Sequence, residues 1–161
     1  MTVTTGLTIY RTQVLPDWID FNGHLRDAYY VLVVSYAVDA LMDQLGMDAA
    51  YRQRTNCTLY TLEMHVHYLH EVKESDLLAV TVRVIGADEK RIHAGLDLNC
   101  ARYSDPAAGV EVMLLHVHQG ESVASRAFPA EIARAVETLQ AATAAIAAPK
   151  RGSRKMELRG R

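Results

Sequence analysis

The stretch "DWIDFNGHLRDAYYVLVVSYAVDALMDQLG", Asp17 to Gly46, changes character halfway along. Up to Asp27 it is crowded with turn-forming and ionisable residues: Asp17, Asp20, Asn22, His24, Arg26 and Asp27. After that it is an almost unbroken apolar run in which Ser35, Asp39 and Asp43 recur every fourth residue. That spacing puts one narrow polar stripe on an otherwise greasy helix, predicted from about Arg26 to Leu45 and stopped by Gly46. One Asp or Asn would be enough to cap such a helix. The loop supplies several, so chemistry is expected where the helix begins. A helix this apolar also needs more cover than one curved sheet provides, which predicts a homodimer or homotetramer.

Working outward, Thr8 to Val14 alternates as a first strand, and Pro16 ends it. "MDAAYRQRTN" reads as a short helix or turn with Asp48 near its start. Beyond it the period drops to two. "CTLYTLEMHVHYLHEV" places Leu62, Met64, Val66 and Tyr68 on one face, against Glu63, His65 and His67. After the turn "ESD" comes "LLAVTVRVIG", with Val80, Val82 and Val84 aligned. After the turn "ADEK" comes "RIHAGLDLNCARY", with Ile92, Ala94, Leu96, Leu98 and Cys100 aligned. "SDPAAG" precedes a last long strand, "VEVMLLHVHQG", and Pro129 opens a closing Ala-rich helix. Strands joined by turn-length links form antiparallel sheets. The predicted fold is therefore α+β: about five antiparallel strands wrapped round one long helix.

The chain has 161 residues, half of them hydrophobic, which suits one domain with a real core. The predicted domain is residues 1–148, and residues 149–161 form a basic tail expected to be flexible. Without the six cations and one anion that follow Pro149, the body holds 11 basic and 18 acidic residues, a formal −7. The whole chain carries −2, which argues against nucleic acid as a partner. The polar interruptions in the long helix argue against a membrane span. Cys57 and Cys100 lie in strand-like runs outside any C-x-x-C pair, as buried thiols of a reducing compartment would. The N-terminus has no basic segment leading into an apolar stretch, so a cytoplasmic location is expected.

The loop and helix resemble the hotdog-fold acyl-CoA thioesterases of the 4-hydroxybenzoyl-CoA thioesterase type. Their pattern D-x-D-x-x-G-H-V-N-N-x-x-Y is met here by Trp18, Asp20, Gly23, His24, Leu25, Arg26, Asp27 and Tyr30. Trp18 stands for the first Asp, and Arg26-Asp27 for the Asn pair. Glu63, Tyr68 and Asp76 also fall in places familiar from that group, and the element order agrees over roughly residues 7–128. The longer stretch from Val14 to Asp48 resembles the thioesterases of bacterial carnitine breakdown, which cleave betainyl-CoA. The resemblance implies an acyl-CoA substrate, with betainyl-CoA as best guess, and implies no cofactor and no metal.

The resemblance further implies a catalytic set of Asp20, Gly23, His24 and Asp27, with Trp18, Asn22, Tyr30 and Tyr68 binding substrate. Asp20 would attack the carbonyl or deprotonate a water that does. The helix start near Asp27 would polarise the thioester oxygen. Gly23 would let the backbone turn sharply beside the ligand, and His24 would shape the loop. Some relatives use a Glu on the central helix, but here that place reads Val34-Ser35-Tyr36-Ala37, which moves the weight to Asp20 and leaves Asp27 and Asp39 in reserve. A trimethylammonium group would suit aromatic walls. Trp18 and Tyr30 stand out among Tyr29, Tyr36, Tyr60 and Tyr68 as candidates. Arg52, Arg54, Lys73, Lys90 and Arg91 could meet phosphates.

Plainer roles remain open. Asp20 and Asn22 are also ordinary turn and cap residues, and Asp39 could merely bond a neighbour. Two rival functions remain as well. A hotdog module could bind acyl-CoA without turnover, although a binder has no use for a carboxylate beside the carbonyl. Alternatively, the pairs His65/His67 and His116/His118, each on one face of a strand, could bind a divalent metal. A hotdog dehydratase would want its His in a different motif.

Overall fold

A computed structural model describes residues 6–146. The tail and the proposed domain boundary near residue 148 lie outside the described residues. The elements in chain order are β1 (Leu7–Gln13), a 3-10 turn (Pro16–Trp18), α1 (Asp27–Gln44), α2 (Ala49–Thr55), β2 (Cys57–Tyr68), β3 (Leu77–Ala87), β4 (Arg91–Cys100), β5 (Ala108–Gln119), β6 (Val123–Ser125) and α3 (Ala130–Thr143). Every strand pairing is antiparallel.

α1 ends as its sequence demands. Gly46 has φ +86°, and the N–H groups of Gly46 and Met47 close back on the carbonyls of Asp43 and Met42 at 3.1 and 2.8 Å. This is the two-bond C-terminal cap that glycine enables. α2 starts at Asp48, whose carboxylate accepts the Tyr51 N–H at 2.8 Å. Pro129 precedes the first turn of α3 as its cap residue, one place earlier than expected.

The strand order is β1-β3-β4-β5-β2, with β6 beside β5. Although "ESD" does turn into β3, it does not fold β3 back on β2. β2 lies at the far end of the sheet against β5, and β1 takes the place beside β3. β6 is an additional strand that the alternation did not reveal. Val33, Val34, Ala37, Val38, Leu41 and Met42 of α1 join Val80, Val82, Ile92, Leu96, Leu98, Val110, Val112 and Leu114 in a single core. This is the hotdog arrangement: a sheet curled round one apolar helix.

β2 departs from plain alternation. A bulge between Thr61 and Glu63 shifts its register against β5. Before it Cys57 and Leu59 are buried; after it Met64 and Val66 pack on the core. The extra residue moves the inward face from odd to even positions. Leu62, expected to share the inner face of Met64, is 55% exposed. Both cysteines are buried free thiols. No described helix is long and apolar enough to cross a membrane.

Candidate active site

The loop before α1 is a small hairpin-like turn pinned at its base. Asp20 N–H donates to the His24 carbonyl (2.9 Å), and Gly23 N–H to the Asp20 carbonyl (3.0 Å). Leu25 N–H reaches Val72 (2.7 Å), tying the loop to the chain leaving β2. Inside the turn, the Asp20 carboxylate accepts the N–H of Asn22 at 2.8 Å, that of His24 at 3.4 Å and the Asn22 side-chain amide at 3.4 Å. Burial acts to raise the acid's pKa, but these hydrogen bonds outweigh it and hold Asp20 below the ordinary carboxylate value. The side chain therefore stays ionised. Gly23 has φ +77°, the left-handed region that favours glycine, and a Cβ there would meet nothing within 4 Å. The turn itself calls for this glycine, not a crowded approach to a neighbour.

α1 begins at the mouth of this turn. Its cap residue, Arg26, gives no side-chain hydrogen bond. Ala28 N–H donates to Asp27 Oδ1 (2.9 Å) and Tyr29 N–H to the Arg26 carbonyl (2.9 Å). The positive end of the helix macrodipole thus opens on a cleft of about 490 Å³.

Asp20, His24, Arg26, Asp27 and Tyr30 form one side of the cleft, and Tyr68, Leu69, His70 and Glu71 the other. Hydroxyls clamp the second side in place. Tyr30 donates to the His70 carbonyl (3.0 Å) and Tyr103 to the Glu71 carbonyl (2.6 Å). The His70 ring stacks on Tyr103 with centroids 4.3 Å apart, and its Nε2 lies 3.0 Å from Asp105. Across the cleft, His24 Nε2 is 3.0 Å from Glu71. Tyr68 meets Tyr30 edge-on, centroids 5.2 Å apart at 88°, and its hydroxyl reaches the Asp27 carbonyl at 3.4 Å. Burial pushes the Tyr30 hydroxyl up to about 12. Burial, and then the neighbouring Asp27 charge, also raises Tyr68.

Of the eight residues singled out from sequence, Asp20, His24, Asp27, Tyr30 and Tyr68 line this cleft. Asn22 and Gly23 serve the turn beside it. Trp18 stacks on Tyr29 at 5.4 Å and is not part of the lining. Asp39 lies in a separate depression with Ser35, Asp43 and Arg52. Asp76 is a turn residue, accepting the Lys73 N–H and pairing with Arg102. Two proposed phosphate contacts are already engaged: Arg52 donates to the Met47 carbonyl (2.7 Å), and Arg91 to Asp88 (2.8 Å). His70 and Glu71 were missed because they belong to no motif and reach the cleft only through the crossover from β2.

The strand register separates the two histidine pairs that the metal alternative would use together. His65 pairs with Glu111 across the β2–β5 ladder, whereas His116 pairs with Leu59. The two histidine pairs are thus separated by about six residues of strand, roughly 20 Å. His116 is fully buried, between the Tyr51 hydroxyl (2.9 Å) and the Arg126 carbonyl (2.8 Å). Among the described residues no group of three His, Cys, Asp or Glu could hold an ion.

The hotdog sheet brings the Asp20 carboxylate and the N-terminus of α1 into one cleft, the arrangement expected of a thioester-cleaving class. In keeping with this, residues 14–136 match the model of the thioesterase-like superfamily, and the chain belongs to that family of thioester hydrolases. It is 44% identical over 144 residues to the betainyl-CoA thioesterase of Pseudomonas aeruginosa, covering 89% of this chain and 90% of that protein. It is 33% identical to the L-carnitine dehydrogenase/betainyl-CoA thioesterase of Rhizobium meliloti, covering 89% of this chain but 28% of that longer protein. A Pseudomonas putida structure assigned as a thioesterase superposes with a TM-score of 0.85 at 40% identity, over 96% of this chain and 98% of that one. A Staphylococcus aureus protein solved in complex with CoA superposes at 0.88 with 27% identity, over 96% and 97%.

Proposed function

We propose that this chain hydrolyses betainyl-CoA to betaine and free CoA, with Asp20 as the catalytic carboxylate. The observation that carries this reading is the meeting of Asp20 and the N-terminus of α1 in one cleft. The thioester oxygen gains negative charge as the carbonyl is attacked, and backbone N–H groups at a helix N-terminus stabilise it. Asp20, ionised at neutral pH, either adds to the carbonyl carbon or takes a proton from the water that does. In both cases the C–S bond breaks, the thiol leaves protonated, and water supplies the second carboxylate oxygen. The substrate is proposed by likeness to the betainyl-CoA thioesterase of Pseudomonas aeruginosa.

The proposed partner is a second copy of the chain, as a homodimer or homotetramer in the cytoplasm. Support comes from β2, which ends the strand order and exposes Tyr60, Leu62 and Tyr68. An unpaired edge with apolar side chains is a template for pairing.

The experiment is thiol release from a panel of betainyl, short aliphatic, long-chain and aromatic acyl-CoAs, run with Asp20→Asn. Betainyl-CoA should be the preferred member, and the variant should lose at least ~100-fold in kcat while still folded. Full activity in Asp20→Asn would remove this mechanism, and inactivity toward every thioester would leave the non-catalytic binding module.

A further inference from the structure

A carboxylate at the start of α1 is a strange neighbour for a developing oxyanion. Asp27 sits in the first turn, and its Oδ1 accepts the Ala28 N–H, a bond that an amide oxygen would make equally well. The family pattern has asparagine here. Of the other cleft carboxylates, Glu71 lies 3.0 Å from His24 Nε2 and Asp20 is held by backbone N–H groups. Asp27 pairs with no cationic side chain among the described residues. A fixed negative charge there opposes the transition state of a neutral acyl group. That opposition is relieved if the acyl group brings its own positive charge close to its carbonyl.

The aromatic side chains fit such a group. Tyr68 is 51% exposed, its hydroxyl reaches the Asp27 carbonyl, and Tyr30 stands at right angles to it. The buried Tyr30 thus props the exposed Tyr68 ring beside the helix start, as one aromatic corner. A quaternary ammonium has no N–H to donate, so ring faces and an unmatched carboxylate recognise it where hydrogen-bond acceptors cannot. In a betainyl thioester the nitrogen is two single bonds of about 1.5 Å from the carbonyl carbon. A carbonyl held at the α1 N-terminus therefore carries its cation to this corner.

We infer that Asp27 and the ring of Tyr68, held in place by the buried Tyr30 against it, form a quaternary-ammonium subsite that selects cationic acyl groups over neutral ones of the same shape. This rests on the proposed thioesterase reading and adds the source of its substrate choice.

The test compares kcat/KM for betainyl-CoA with that for 3,3-dimethylbutyryl-CoA, in which carbon replaces the charged nitrogen. The wild-type enzyme should prefer the cation. Asp27→Asn should lower the preference roughly 4- to 20-fold, the range for a unit charge about 5 Å away in a half-solvated site. Tyr68→Leu should lower it about 2- to 30-fold, while Tyr68→Phe keeps it. Unchanged melting temperatures would separate these effects from unfolding. If betainyl-CoA is cleaved but the ratio does not move in Asp27→Asn or Tyr68→Leu, the subsite is refuted and the thioesterase stands. If betainyl-CoA is not cleaved at all while other thioesters are, the subsite and the proposed substrate fall together.

Discussion

Tyr30→Phe isolates one hydroxyl that links the fold to the cleft. Tyr30 is 4% exposed, and its ring would keep its packing in the variant. What disappears is the 3.0 Å bond to the His70 carbonyl, which ties the first turn of α1 to the segment carrying His70 and Glu71. A neutral hydrogen bond contributes about 1 kcal/mol net, and a carbonyl left without a donor costs up to about 3 kcal/mol. The expected loss is 1–2 kcal/mol, or a fall in Tm of roughly 3–7 °C for a domain of this size. The cleft should loosen as well, and kcat/KM should drop roughly tenfold through misplacement of the facing residues. Alkaline unfolding supplies a second readout. The native hydroxyl titrates at about 12, above its ordinary value of 10. The folded state then holds the proton that the unfolded state releases. Stability from this group is complete below pH 10 and falls by about 1.4 kcal/mol per pH unit between 10 and 12. Tyr30→Phe should flatten that part of the curve. Thermal melts, urea titrations from pH 8 to 11.5 and steady-state kinetics check these points together. A variant with wild-type Tm, wild-type alkaline sensitivity and full activity would refute the assigned role of the hydroxyl.

Three further outcomes concern His116, Tyr51 and Gly23. His116 is buried and its pKa lowered by desolvation, so the unfolded chain binds a proton there more readily. Its contribution to stability is present above about pH 6.5 and is lost as pH falls below that value. Tyr51→Phe, which removes its buried donor, should cost about 1–3 kcal/mol in urea titrations at pH 8. Gly23→Ala places a side chain at φ +77° and should lower stability by about 1 kcal/mol, with a further loss of activity from a displaced Asp20; unchanged melting and kinetics would count against that turn geometry.

Much of the molecule was written locally. The i, i+3, i+4 spacing of Val33, Val34, Ala37, Val38, Leu41 and Met42 marks α1, and Gly46 marks its end, because both depend on residues a turn apart. The alternation of Val80, Val82 and Val84, and of Ile92 through Cys100, names the inward face for the same reason. The loop from Asp20 to Tyr30 carries its own turn chemistry, so the sequence located one side of the cleft, and the resemblance of that loop to the hotdog thioesterases supplied the class of reaction expected there. Only the tertiary structure decided the rest. Alternating strands all offer the same backbone donors and acceptors, so nothing in β2 or β3 announces that they lie at opposite parts of the sheet with β4 and β5 between them. The bulge after Thr61, the exposure of Leu62 and the separation of the two histidine pairs follow from that pairing. So does the arrival of His70, Glu71 and Tyr68 opposite Asp20: these are contacts between residues some fifty positions apart, brought together by the order of the strands and the burial of α1 beneath them.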